Sequence, residues 1–357
     1  MSGTWGNRIK ISIFGESHGE AIGAVIDGLP PGIKLDLEAI RFQMKRRAPG
    51  QSDITTARKE EDEFQILSGY FNGYTTGTPL AFVIKNKDAR SSDYEYIKDI
   101  PRPGHGDYTG GVKYKGYYDY RGGGHFSGRI TAPIVFIGAI CRQILESKGI
   151  YIVSHIKNIG SIDDDSFDAI HIDEDLIRRL NTMRLPLIAD EKIKDMEAEI
   201  LSAKADEDSI GGSIECAVVG LPAGVGEPFF DSVECRLSYI LFSIPGVKGV
   251  EFGSGFYITR MRGSEANDEF CIQDGVVKTK TNHSGGIQGG ITNGMPVIFR
   301  VAIKPTSSIG KKQRSVDMTK MEEVEFEIKG RHDPCIVPRA VPVVEAAAAI
   351  AILDLYI

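Results

Sequence analysis

The sequence predicts an α+β fold, with a helical core sandwiched between antiparallel sheets. Two apolar segments and their surroundings carry that expectation. Residues 130–145 (ITAPIVFIGAICRQIL) are apolar nearly all round until Arg142, and residues 341–357 (VPVVEAAAAIAILDLYI) are mostly apolar as well. A helix without a polar face is buried on every side and needs cover. Strand-like segments on either side in sequence can supply it as sheets. Strands and helices alternate too irregularly for a doubly wound parallel sheet. Neither helix reads as a membrane span, because each is short or carries Arg142, Glu345 or Asp354.

The elements follow in chain order. Residues 9–14 alternate through Lys10 and Ser12 and read as a strand; residues 21–26 read as a second, ending at Asp27-Gly28. Asp36 can cap a helix running to about Arg47, which stops before Ala48-Pro49-Gly50. Strand-like pieces follow at 64–67, 80–84 and 297–303. Residues 86–128 show no sustained period, and so long a loop in a compact domain is usually functional or wrongly assigned. Residues 160–208 are acidic, with a helical pattern over 190–204, and read as a peripheral excursion. No internal repeat or low-complexity linker divides the chain, so residues 1–357 are expected to form one domain.

Composition narrows the function. The net charge of −7 gives the surface no overall preference for nucleic acid or an anionic membrane, so an anion site must be a local basic pocket. The five cysteines form no CxxC pair and signal neither a zinc site nor a disulfide framework. With no signal-peptide pattern, a cytoplasmic location is expected. Metal hydrolysis is disfavoured because no HxH or HExxH spacing occurs.

Three segments place histidine, arginine and aspartate on turns: Gly15-Glu16-Ser17-His18-Gly19, Arg102-Pro103-Gly104-His105 and Arg331-His332-Asp333-Pro334-Cys335. Such residues on turns suit an enzyme that binds an anion and moves protons. Arg121 to Arg129 forms a glycine-rich run into the apolar helix, where free N–H groups suit phosphate. It is neither a Walker A loop nor a GxGxxG fingerprint. Asn282 to Gly290 is a second glycine-rich run, and Lys304-Pro305-Thr306-Ser307-Ser308 offers an ammonium and three hydroxyls. Lys45-Arg46-Arg47, with Arg58 and Lys59 beyond, closes the first helix, where cations also complement the helix dipole.

These segments together resemble the chorismate synthase family over nearly the whole chain. GESHGEAIGAVIDGLPPG at 15–32, GHFSGRITAPIVFIGAI at 124–140 and GRHDPCIVPRAVPVVEA at 330–346 are similar to that family's signatures; RPGHGDYTGG, NHSGGIQGGI and KPTSSI are further blocks. The resemblance implies conversion of 5-enolpyruvylshikimate 3-phosphate to chorismate and phosphate, the last step of the shikimate pathway toward aromatic amino acids. The reaction is an anti-1,4-elimination that needs reduced FMN without net redox change. It also implies a β-α-β sandwich and a homotetramer. Some members of that family reduce their own flavin with NADPH and others rely on an external flavin reductase; no Rossmann fingerprint is visible here, so an external reductase is expected, with NADPH only as an indirect reductant. By the resemblance, His18 meets the departing phosphate, His105 supplies a proton to the reduced flavin, and Asp333 helps accept the C6 proton. Ser17, Arg47, Arg129 and Arg331 would bind substrate. Arg331, His125, Phe126, Ser127, Pro245, Gly246, Gly289 and Lys304 to Ser308 would line FMN.

The chain departs from the family pattern in places. Arg-Ser-Ser-Ala-Arg-Glu-Thr is usual where this chain has His125-Phe126-Ser127-Gly128-Arg129-Ile130-Thr131, an arginine is usual at Asp53, and Asn-Ala is usual at Pro245-Gly246. A non-catalytic relative would be expected to lose its proton donors, and both histidines are kept. The resemblance therefore implies an active, divergent member.

Overall fold

The computed structural model describes residues 3–50, 54, 60, 62–87, 98–328 and 333–357. Two antiparallel sheets enclose the long helices. The first runs in the order Thr4–Trp5, Lys10–Gly15, Ala21–Asp27, Leu80–Lys85, Phe64–Ser68. The second runs Val247–Phe252, Val297–Ile303, Gly212–Val219, Tyr151–Ile159, Ile162–Asp163. Between them lie α1 (Leu37–Arg47), α3 (Thr131–Glu146) and α8 (Val337–Tyr356). The sheet–helix–sheet arrangement is the one the two apolar segments predict. Residues 128–146 pass for a membrane span by length and composition, and 89% of that window is buried inside the protein.

Local chemistry explains the elements. Asp36 caps α1 by accepting from the N–H groups of Glu38 and Ala39 at 2.9 and 3.0 Å. α3 crosses α8 closely: a Cβ on Gly138 would stand 2.3 Å from the Ala346 Cβ. Small residues at that crossing let the two backbones touch. Phe136 joins α3 to the first sheet by stacking on Phe82, with ring centroids 3.8 Å apart. α8 begins at Val337, four residues before the expected start, because a proline in the first turn costs no helical hydrogen bond.

The stretch expected to lack structure contains a seven-residue helix, α2 (Asp107–Lys113), and a glycine-rich turn over Arg121–Phe126. Two glycines inside α2 had masked its period. The 160–208 region holds α4 (Glu174–Thr182), capped by Asp173, and α5 (Ile193–Ala205). α4 packs Ile177 and Leu180 against Val153, Ala217 and Ile298 on the outer face of the second sheet. α6 (Val233–Leu241) lies beside α8, and a four-residue helix α7 (Gly263–Ala266) precedes a hairpin of Phe270–Gln273 and Val276–Thr279.

Charge is buried where the helices meet. Glu345 of α8 accepts from Arg46 at 2.5 Å, Arg142 at 3.1 Å and Ser154 at 2.8 Å, joining α1, α3, α8 and the second sheet. Burial alone would raise its carboxyl; Arg46 and Arg142 overcome this and hold it below the usual range. A carboxyl depressed in the folded state stabilises above its unfolded pKa, and that contribution is lost as pH falls through the folded value. Glu345→Gln is expected to cost about 3–5 kcal/mol at neutral pH, because Arg46 loses its carboxylate and Arg142 keeps only the partly exposed Glu146. Urea midpoints should show that deficit shrinking between pH 7 and pH 3.5. A deficit that is constant or grows toward acid would contradict the assignment.

Candidate active site

A cavity of about 370 Å³ opens where the end of α1, the start of α3 and the start of α8 converge. Arg47, Arg102, Arg129, Lys304 and Arg339 line it, against the carboxylates of Glu60 and Asp333. Ile244, Pro245, Ile336 and Val343 form an apolar part of the wall. In a chain of net charge −7 this is the local basic pocket that the composition required.

The arginines are held by buried acids. Arg47 is buried at the C-terminal end of α1 and donates from Nε to Asp62 Oδ2 at 3.0 Å. Arg129 pairs with Glu60 at 2.9 Å, meets Asp62 in a shorter contact, and donates to Asn86 Oδ1 at 3.0 Å. Burial lowers the pKa of both guanidiniums, yet arginine stays cationic at physiological pH. Burial would raise Asp62; Arg47 and Arg129 reverse this and keep it below the usual range. Arg339 pairs with Asp333 and donates from Nε to the Arg47 carbonyl at 3.1 Å. Thr306 Oγ1 donates to the Asp333 carbonyl at 3.0 Å, which fixes the 304–308 loop to the start of α8.

The opposite wall is built on Arg102, Gly104 and His105. Lys304 Nζ donates to the Gly104 carbonyl and to Ser307 Oγ, each at 2.6 Å. Burial, then the charge of Lys248, lowers the Lys304 pKa. Arg102 donates to Ser308 Oγ at 3.0 Å and to both oxygens of Asp107.

The glycine turn Gly122-Gly123-Gly124 separates the two histidines. A Cβ on Gly122 would stand 2.1 Å from the His18 ring, and one on Gly123 would stand 3.1 Å from His105 Nε2. Both glycines have positive φ, +59° and +85°. Gly122 and His105 line the cavity, so His18 lies one residue layer behind the wall. Ser17 donates its N–H to the Gly124 carbonyl at 3.1 Å, and its buried hydroxyl has no hydrogen-bond partner among the described residues.

Of the residues expected at the site, Arg47, His105, Ser127, Arg129, Pro245, Gly246, Lys304 to Ser308 and Asp333 meet at one cavity. Arg331, Asp53, Arg58 and Lys59 lie outside the described residues. His125, Phe126 and Gly289 are not in the wall. His125 is exposed, with Nδ1 2.9 Å from the Gly15 carbonyl. Phe126 fills a groove left by Gly106, just before α2, and Gly110 within it, near the rings of Tyr114 and Tyr118. Gly289 lies at the tip of the hairpin formed by Ile287–Gln288 and Ile291–Thr292. Arg102, on one of the turns singled out in the sequence, also lines the cavity, whereas sequence reasoning missed the side chains of Glu60, Asp62, Asp107 and Arg339. The available signals were the His-Gly-Asp spacing at 105–107 and a cation at Arg339 in an otherwise apolar run.

Gly122→Ala tests the close approach of His18. The added methyl would overlap the imidazole and force an L residue into positive φ. We expect a folded protein with activity reduced at least tenfold; wild-type turnover of this variant would show that the turn is not a constraint.

Comparison with known proteins agrees with this architecture. The family model described as chorismate synthase matches residues 9–357. The chorismate synthase of Pyrococcus abyssi (strain GE5 / Orsay) is 49% identical over 350 residues, covering 98% of this chain and 96% of its own length. That of Methanobrevibacter smithii is 49% identical over 354 residues, covering 99% and 96%. A crystal structure of a chorismate synthase superimposes with a TM-score of 0.77 at 29% identity, covering 98% of this chain and 92% of that one. The chain belongs to the chorismate synthase family and is a lyase.

Proposed function

We propose that this chain eliminates phosphate from 5-enolpyruvylshikimate 3-phosphate to give chorismate, with reduced FMN bound beside the substrate. The observation that carries this reading is the convergence of five cations, His105 and Asp333 on one cavity. The substrate bears a phosphate and two carboxylates, and such anions suit guanidinium forks. The whole chain serves as one unit in this reading, since the walls draw on residues from Arg47 to Val343.

The lining also suits FMN. Lys304, Ser307 and Ser308 offer donors for its polar tail, and Ile244, Ile336 and Val343 an apolar face for a planar ring. Reduced FMN, when bound, supplies an electron-rich ring that promotes departure of the phosphate with no net oxidation. In the elimination the C6–H bond breaks and its pair forms a C6=C1 double bond, the C1=C2 double bond shifts to C2=C3, and phosphate leaves C3 with the C–O pair. Arg47, Arg129 and Arg331 hold the anions. His18 donates a hydrogen bond or proton to the leaving phosphate, and the unpartnered Ser17 hydroxyl supports a further contact there. His105 exchanges a proton with the reduced flavin, and Asp333 helps remove the C6 proton.

The flavin arrives reduced by an external reductase, with NADPH acting only through that protein. This is supported by the absence of a Rossmann fingerprint in the sequence. The five free cysteines suit a reducing cytoplasm. Homotetramer formation is supported by exposed Phe229, Phe230, Phe256 and Tyr257.

An anaerobic assay with dithionite-reduced FMN should yield chorismate and phosphate in equal amounts, and oxidised FMN alone should yield none. Equal turnover in air without reductant would sink the cofactor assignment. His18→Ala and His105→Ala should each lower kcat by roughly 10²–10⁴-fold while folded. Asp333→Asn should lower kcat by about 10²-fold or more with little change in Tm. A destabilised Asn variant with normal turnover would make Asp333 structural.

A further inference from the structure

Asp107 is a buried carboxylate beside the cavity that the proposed chemistry does not use. It opens α2 and is 3% exposed. Its Oδ2 accepts from Arg102 Nε at 2.7 Å and from the Arg102 backbone N–H at 3.1 Å. Its Oδ1 accepts from Arg102 Nη2 at 2.8 Å and lies 2.7 Å from His105 Nδ1. Arg102 Nη2 is also 3.1 Å from the same Nδ1. These contacts admit one consistent proton arrangement. A bare Nδ1 would face a carboxylate oxygen lone pair to lone pair at 2.7 Å. A proton on Nδ1 turns that contact into a charge-assisted hydrogen bond. The longer approach of Arg102 is then two donors converging on one carboxylate.

The carboxylate is itself held ionised. Burial would raise Asp107, and the hydrogen bonds from Arg102 and His105 reverse this and keep it well below the usual range. Arg102 is in turn tied to Ser308 at 3.0 Å. The other ring nitrogen, Nε2, lies over Gly123, where the missing side chain leaves it uncovered.

We infer that Asp107, clamped by Arg102, is a positioning residue that keeps His105 protonated at Nδ1, so that any proton His105 exchanges passes through Nε2. This rests on the reading above that His105 handles a proton. The competing account is an ion pair that only secures the start of α2, where an acidic residue also favours the helix dipole. Both accounts allow a loss of stability on substitution. Only positioning changes the state of the imidazole.

The test is Asp107→Asn in the full chain, read three ways. Ring ¹⁵N NMR, with His105 assigned by the signal lost in His105→Ala, should show the proton on Nδ1 in the wild type and a mixture of tautomers in the variant. Turnover should fall by roughly 10²–10⁴-fold, the scale of losing a carboxylate behind a working imidazole, with substrate KM within about threefold. The double variant with His105→Ala should be no slower than His105→Ala alone. An unchanged tautomer, wild-type kcat, or a further rate loss on top of His105→Ala would each overturn the inference. Should the Asn variant not fold, Asp107→Ser is read by the same measurements. A near-normal His105→Ala would instead sink the role of His105 itself, whereas a slow His105→Ala with a fast Asp107→Asn removes only the positioning role.

Discussion

The fold depends on burying α3 and α8 on nearly all sides, with one face of α1 against them, while still admitting the charges that the cavity needs. Glu345 is where those demands meet. It binds Arg46 of α1 and Arg142 of α3 from within α8. Cavity arginines sit near ends of the same three helices: Arg47 follows Arg46, Arg129 precedes α3, and Arg339 lies in the first turn of α8. Successive helical residues point about 100° apart. Holding Arg46 against the buried carboxylate therefore aims Arg47 away from it and toward the cavity. One ion cluster in the core sets the directions of the cations outside it.

Those cations are not bare. Arg47 and Arg129 share Asp62, Arg129 also meets Glu60, and Arg339 meets Asp333. Removing a guanidinium from water costs several kcal/mol unless an anion accompanies it. The carboxylates reduce that cost and lock the rotamers, so an incoming anion finds donors already oriented. They also compete with that anion. A ligand with three anionic groups suits such a site better than a monoanion, because it replaces more of the negative charge it displaces.

Much of this was legible in the sequence, for identifiable reasons. A helix apolar all round can only be buried, so the layers followed from residues 130–145 and 341–357. His18 and His105 stood out because glycines and a proline flank them. The α2 helix was hidden by Gly110 and Gly111, which weaken helical propensity. Arg339 was hidden inside an apolar run, where a single charge reads as an interruption. Asp107 and Asp62 were hidden because their partners are set by tertiary contact. The basic triplet at 45–47 fits both the dipole account and specific pairing. Burial of Arg46 and Arg47 decides for pairing, since a dipole needs no burial.

Among the described residues, the departures from the family pattern fall where the backbone, packing or a contact to a main-chain carbonyl can carry the structural task. Gly246 lines the cavity and accepts from the Lys304 N–H at 2.9 Å through its carbonyl, a bond indifferent to the side chain there. Its φ of +94° suits glycine. His125 uses its ring to reach the Gly15 carbonyl, which joins the glycine turn to the segment bearing Ser17 and His18. Phe126 occupies the groove that Gly106 and Gly110 leave open, and so braces α2 against the same turn. Ile130 is buried at the entry to α3, where it adds to the apolar core. Each unusual residue supports the frame around the histidines and arginines while leaving those side chains in place. That is how a divergent sequence can keep one cavity: at these positions main-chain carbonyls and packing carry the structural task, while Glu60, Asp62 and Asp333 still hold the cations.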